Sequence, residues 1–130
     1  YEGAINDYNK AITLDPKDPF YFRNRGDSKQ QLGDYEGAIN DYNKAIKLNP
    51  KNPNYFHERG YAKIKLGDYE GAINDYNKAI KLNPKKTNSF YNRGFAKNEL
   101  GDRKGACSDW IKASELGDKD AVNRVKDTCK

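Results

Sequence analysis

The chain of 130 residues has no methionine, one tryptophan, one histidine and two cysteines. So few ligating and nucleophilic side chains exclude most catalytic and metal chemistry, which needs several such groups converging on one point. His57 has no companion to act with, and the expectation for it is a solvated surface position. No phosphate-cradling glycine loop is present, because "GDYEG" at 33–37 is acidic and reads as a turn. No apolar run approaches the roughly 18–20 residues of a membrane span, and no secretory apolar segment is found. The reading is therefore a protein that is not an enzyme, with no cofactor, no metal and no membrane partner. A missing methionine points to a piece of a longer polypeptide. Nothing fixes the cellular location, with the cytoplasm slightly favoured.

What is present is repetition. With 33% charged residues the chain could pass for disordered, but ten tyrosines and 12% aromatic content argue for a packed interior. "GDYEGAINDYNKAIKLNP" at 33–50 returns unchanged at 67–84. A third version opens the chain at Tyr1, altered only at Thr13 and Asp15. Gly33, Gly67 and Gly101 are each 34 residues apart. A fixed period of this size marks stacked supersecondary units. Asp18-Pro19 and Asn52-Pro53 each set a capping residue before a proline at the first helical position. Gly33-Asp34 and Gly67-Asp68 stop one helix and cap the next. Ala38, Ile39, Tyr42, Ala45 and Ile46 form one apolar helical stripe, which Pro50 and Pro53 terminate. Each unit is thus two antiparallel helices. Gly60 and Ala72 are the expected close-crossing pair between them.

The middle unit carries Phe56, Arg59-Gly60, Ala72, Tyr76, Ala79 and Pro84, and its neighbours carry Phe22, Gly26, Ala38, Tyr42, Ala45, Pro50 and Phe90, Gly94, Ala106, Trp110, Ala113. This spacing resembles the tetratricopeptide repeat family over nearly the whole chain. The resemblance implies an all-α fold, a right-handed α-α superhelix of antiparallel helix pairs. One array fills 1–130: a second helix of a truncated repeat at 1–18, repeats at 19–52, 53–86 and 87–120, and a capping helix at 121–130. Ala4, Tyr8 and Ala11 of the opening helix should form an exposed apolar patch. In the cap, Ala121, Val122 and Val125 lie to one side.

Where the family usually has an apolar residue before the glycine, this chain has Arg25, Arg59 and Arg93. Asp41, Asp75 and Asp109 on the partner helices make the pairs Arg25–Asp41, Arg59–Asp75 and Arg93–Asp109 the expectation. Cys107 and Cys129 lie at helix ends that antiparallel packing brings together. They form either a disulfide stapling the cap or two buried thiols in a reducing compartment.

A net charge of +5 raises nucleic acid as a partner. The lysines, however, spread over the outward faces of second helices (Lys44, Lys47, Lys78, Lys81) and the turns (Lys51, Lys85), interleaved with acids, so that partner is unlikely. Family resemblance implies instead a concave groove lined by first helices, in which an extended or helical peptide lies. Helical spacing places there Arg23, Asn24, Asp27 and Gln31, then His57, Glu58, Tyr61 and Lys65, then Tyr91, Asn92, Phe95 and Asn98. These positions differ between units, whereas the second helices barely change. Some members grip terminal carboxylates of a chaperone with Lys, Asn and Arg. The matching places here, Arg23, Asp27, Glu58, Asn88 and Asn92, include two acids that would repel such a ligand. The reading is a scaffold recruiting a protein or peptide. The alternative is a self-associating array that uses its opening helix.

Overall fold

The computed structural model describes residues 1–130, which form eight helices and no strand. In chain order they are α1 Glu2–Leu14, α2 Pro19–Gln31, α3 Tyr35–Leu48, α4 Pro53–Lys65, α5 Tyr69–Leu82, α6 Thr87–Glu99, α7 Arg103–Glu115 and α8 Lys119–Thr128. Consecutive helices pack on one another, with the tightest pairings α2 on α3, α4 on α5 and α6 on α7.

Local chemistry sets the boundaries. The side chains of Asp18 and Asn52 accept from the backbone N–H of Phe20 and Asn54, and Pro19 and Pro53 follow them at positions that have no amide to satisfy. Asp34, Asp68 and Asp102 accept from the N–H of Gly37, Gly71 and Gly105. At the end of α4, Gly67 takes φ +81°, a backbone form that L side chains rarely adopt. There Asp68 N–H donates to the Lys63 carbonyl and Gly67 N–H to that of Ile64, which closes the helix in a two-bond terminal motif.

Those aspartate caps account for the glycines inside the second helices. A Cβ on Gly71 would come within 2.2 Å of the Asp68 carboxylate, and Gly37 and Gly105 stand in the same relation to Asp34 and Asp102. The capping group folds over the glycine. Gly3 has no such neighbour.

The core is a column of small residues and rings. Ala38, Tyr42 and Ala45, then Ala72, Tyr76 and Ala79, then Ala106, Trp110 and Ala113, are all fully buried. Gly60 does more than bring α4 close to Ala72. It makes room for a ring: a Cβ there would sit 3.0 Å from Cζ of Tyr76. Gly26 stands likewise against Tyr42, and Gly94 against Trp110.

Three expectations need correction. The cap helix begins at Lys119, not 121, because Asp118 accepts from the N–H groups of Asp120 and Ala121 and so starts the helix earlier. Within it Ala121 is buried but Val122 is exposed. Ala4, Tyr8 and Ala11 are half-buried instead of openly exposed, because α1 packs against α2.

Candidate peptide-binding groove

First helices form the inner face. Helix α2 touches α4 and α4 touches α6, whereas α3, α5 and α7 stand farther from one another. Stacked units whose inner helices are closer than their outer ones must curve. The side chains on the inner helices therefore converge.

The frame of that face is a charged cluster repeated three times. Arg59 Nε and Nη2 donate to Oδ2 and Oδ1 of Asp75 at 2.9 and 2.6 Å. Lys63 Nζ adds a third contact to Asp75 at 3.0 Å, and Arg59 Nη1 reaches Asn43 of the preceding unit at 2.8 Å. Arg25 does the same with Asp41, Lys29 and Asn9, and Arg93 with Asp109, Lys97 and Asn77. Each guanidinium also stacks on the phenylalanine three residues before it, 5.5–5.7 Å from the ring centres of Phe22, Phe56 and Phe90. This stacking is how arginine occupies an apolar position of the repeat: its planar, weakly hydrated head covers a ring while its edge binds a carboxylate. Sequence reading overlooked Lys29, Lys63, Lys97 and the asparagines, although Arg-x-x-x-Lys and "DYN" recur in step with the period.

At the α2–α4 end of the groove, Arg23 lies between two acids, Nε 2.8 Å from Asp27 and Nη2 3.2 Å from Glu58. Asp27 also accepts from the Tyr42 hydroxyl at 2.5 Å. Burial raises the Asp27 carboxyl above its ordinary range against the pull of Tyr42 and Arg23. It raises Glu58 too, helped by the neighbouring charge of Asp27. For Arg23, burial works against the cation, but the charges of Asp27 and Glu58 outweigh it and the pKa rises. Asn24 is half-buried and Gln31 exposed beside this network.

His57 is not the solvated histidine expected from sequence. It is largely enclosed, with Nδ1 2.9 Å from the hydroxyl of fully buried Ser89 and its ring 5.4 Å from that of Tyr76. Burial, with the charge of Lys86 adding to it, lowers its pKa to about 4. The sequence hid this because Ser89 lies on the next unit's first helix, thirty-two positions away.

The α4–α6 end is aromatic. Tyr61, Ile64, Lys65, Tyr91, Asn92, Phe95 and Arg124 line a pocket of about 240 Å³. Five of these are expected groove residues, and Asn98 lies half-buried further along α6. Ile64 and Arg124 were not anticipated, and Arg124 has no repeat counterpart because α8 lies beyond the last unit. Arg124 Nε donates to the Tyr91 hydroxyl at 3.1 Å, and its guanidinium lies 5.4 Å from the Trp110 ring centre. Cys107 and Cys129 are joined in a disulfide, and Arg103 donates to the Thr128 carbonyl, so α8 is tied to α7. Wider depressions near Asn83 and Gly117 and beside the disulfide lie off the groove and are lined mainly by polar residues or by the staple itself.

This architecture has known relatives. The sequence pattern of the TPR repeat family matches at 1–33, 26–67 and 60–101. The chain belongs to that family, and its fold is the family's right-handed α-α superhelix. No curated protein matches its sequence. Among solved structures, the crystal structure of MamA superposes with a TM-score of 0.86 at 22% identity, over 89% of this chain and 68% of that one, and speaks for the fold alone. The first TPR of Spaghetti (RPAP3) bound to the HSP90 peptide SRMEEVD is similar at 26% identity and TM-score 0.83, covering 88% of this chain and 93% of that one. The second TPR domain of human RPAP3, in complex with an HSP70 peptide, gives 30% and 0.79, covering 86% and 98%. The family fold is a protein-interaction module.

Proposed function

We propose that this chain is a non-enzymatic scaffold that holds a peptide or protein segment in its concave groove. The observation that carries the reading is where the units differ. Helices α3 and α5 are identical letter for letter, and α7, beside the cap, departs from them, while α2, α4 and α6 differ at the positions that face the groove. Packing fixes the first set, and the second is free to select a ligand. Similar domains in complex with HSP90 and HSP70 peptides support the same use of the fold. Asp27 and Glu58 argue against the terminal-carboxylate mode at the α2–α4 end. The test is a quantitative capture from source lysate, comparing wild type, the groove variant Tyr61→Ala/Asn92→Ala and the outer-face variant Lys47→Ala/Lys81→Ala. Partners should be lost only with the groove variant. Retention of every partner by that variant removes the proposal.

A second reading rests on α1. Leu14 is 87% exposed and no residue of α1 is fully buried, whereas the matching Ala38, Tyr42 and Ala45 of α3 are. A second copy could cover this face. Mass that grows with concentration in sedimentation, and is reset to monomer by Tyr8→Glu, supports it, whereas a constant monomer mass removes it.

A further inference from the structure

The unit that carries the disulfide departs from the repeat at the place where the sulfurs lie. Helices α3 and α5 open with Tyr-Glu-Gly, whereas α7 opens with Arg103-Lys104-Gly105. Cys107 stands where those helices have Ile39 and Ile73. Arg103 and Lys104 precede Cys107 by four and three positions, so the new cations and the new thiol share one helix face.

Packing brings Cys129 and Lys130 to the same place. Arg103, Lys104, Cys107, Ile111, Cys129 and Lys130 border one depression of about 410 Å³, and no acid lines it. Both cysteines are half-buried, so the bond is reachable from that side. Arg103 donates to the Thr128 carbonyl and so keeps its charge, and Lys104 has no ion-pair partner. The volume lies within the roughly 300–1,000 Å³ of sites for small molecules.

We propose that this depression admits a low-mass thiol bearing carboxylates, and that the Cys107–Cys129 bond exchanges with it. The incoming thiolate attacks Sγ of Cys129, the bond between the two cysteine sulfurs breaks, and Cys107 departs as a thiolate. The sulfur of the small thiol is oxidised and that of Cys107 is reduced. Cys107 is the better leaving group because two cations share its face. Cys129 sits at the carbonyl end of α8, where the helix dipole disfavours an anion. A second thiolate then displaces Cys129 from the mixed disulfide. The products are the small thiol's own disulfide and two cysteine thiols, which take up the protons the small thiols gave up. The exchange stands apart from the groove reading, but its consequence reaches the groove. Released from α7, α8 no longer holds Arg124 against Trp110 and Tyr91.

Glutathione, an anionic thiol, and cysteamine, whose ammonium offsets its thiolate, are the probes. Each rate is taken per thiolate and relative to the same thiol's rate with a neutral model disulfide. Acid quenching and peptide mass mapping locate the first adduct. Glutathione should be favoured about tenfold at low ionic strength, and the preference should collapse in about 1 M salt. The first adduct should sit on Cys129. Lys104→Glu, which restores the residue of α3 and α5, should abolish the preference with helicity unchanged. Equal relative rates, a first adduct on Cys107, or exchange only as fast as the whole chain unfolds overturns the proposal. Trp110 is the sole tryptophan, so its emission should shift as α8 lets go. Exchange with unchanged emission removes the link to the groove. If the emission shifts while Tyr61→Ala/Asn92→Ala keeps every partner, the groove reading fails and the exchange site stands.

Discussion

The Tyr42 hydroxyl donates to Asp27 Oδ1 at 2.5 Å, and one unit later the Tyr76 hydroxyl donates to nothing. Both rings are fully buried against a glycine of the preceding helix. They differ because the place of Asp27 is taken by Tyr61 in the next unit. Tyr42→Phe should therefore cost about 1–2 kcal/mol, since it also deprives a half-buried carboxylate of its donor. Tyr76→Phe should be neutral or slightly stabilising. Urea unfolding of the two variants checks the contrast, and equal losses would contradict it.

The arginine clusters invite a different comparison. Asp75→Leu leaves Arg59 and Lys63 facing each other without their shared anion. Both cations keep some access to water, so the loss should be about 2–3 kcal/mol, below the 3–5 kcal/mol of a wholly buried pair. Converting all three residues to leucine should recover more than half of it. Additive losses across that series, measured by denaturant midpoints, would mean the three do not act as a unit.

Two glycines test packing against propensity. A Cβ on Gly94 would lie 2.7 Å from Trp110 Nε1 and 3.1 Å from the Ala106 backbone carbonyl, whereas one on Gly3 meets nothing within 4 Å. Gly94→Ala should destabilise by about 1–3 kcal/mol through overpacking. Gly3→Ala should gain up to about 1 kcal/mol from helix propensity. Thermal melts should move in opposite directions.

His57 makes stability depend on pH. Its pKa is lowered in the fold to about 4, so between there and the ordinary histidine value the unfolded chain binds more protons than the native one. Its contribution is thus complete above pH ~6.5 and is lost as the pH falls toward 4. Asp27 and Glu58, both raised by burial, bind protons more readily when folded and oppose that loss at the acid end. The denaturant midpoint should fall between pH 7 and pH 5, and His57→Gln should flatten the slope. An unchanged slope in that variant would assign the effect elsewhere.

The Cys107–Cys129 bond spans 22 residues and joins α8 to α7. Cross-linking a loop of that size is worth about 3 kcal/mol in chain entropy. Reduction, or Cys107→Ser/Cys129→Ser, should release α8 first. Amide exchange should then rise in α8 and in the Tyr91 region that Arg124 contacts, while α2 to α5 keep their protection. Uniform loss of protection would show that the cap is not a separate unit.

Much of the fold was legible because it is written in local terms. Aspartate and proline at helix starts, glycine at helix stops and a strict period each act within a few residues. Which side chains share a face of the inner helices was open to the same kind of reading, since helical spacing decides it. His57 was not, because its surroundings come from Ser89 and Tyr76 on other helices. Nor was Arg124, which acts on the groove only because α8 folds back across Trp110.

By itself, then, the sequence determined eight helices, their order and the stacking of like units, because capping, periodicity and breaker residues are short-range and recur every thirty-four positions. Only the tertiary structure decided that Lys29, Lys63 and Lys97 join the Arg–Asp pairs expected from sequence, that Arg23 lies between Asp27 and Glu58, and that the Tyr76 hydroxyl finds no acceptor. Those outcomes depend on distances between side chains far apart in the chain. Such distances follow from how the units curve together and not from any one unit's letters.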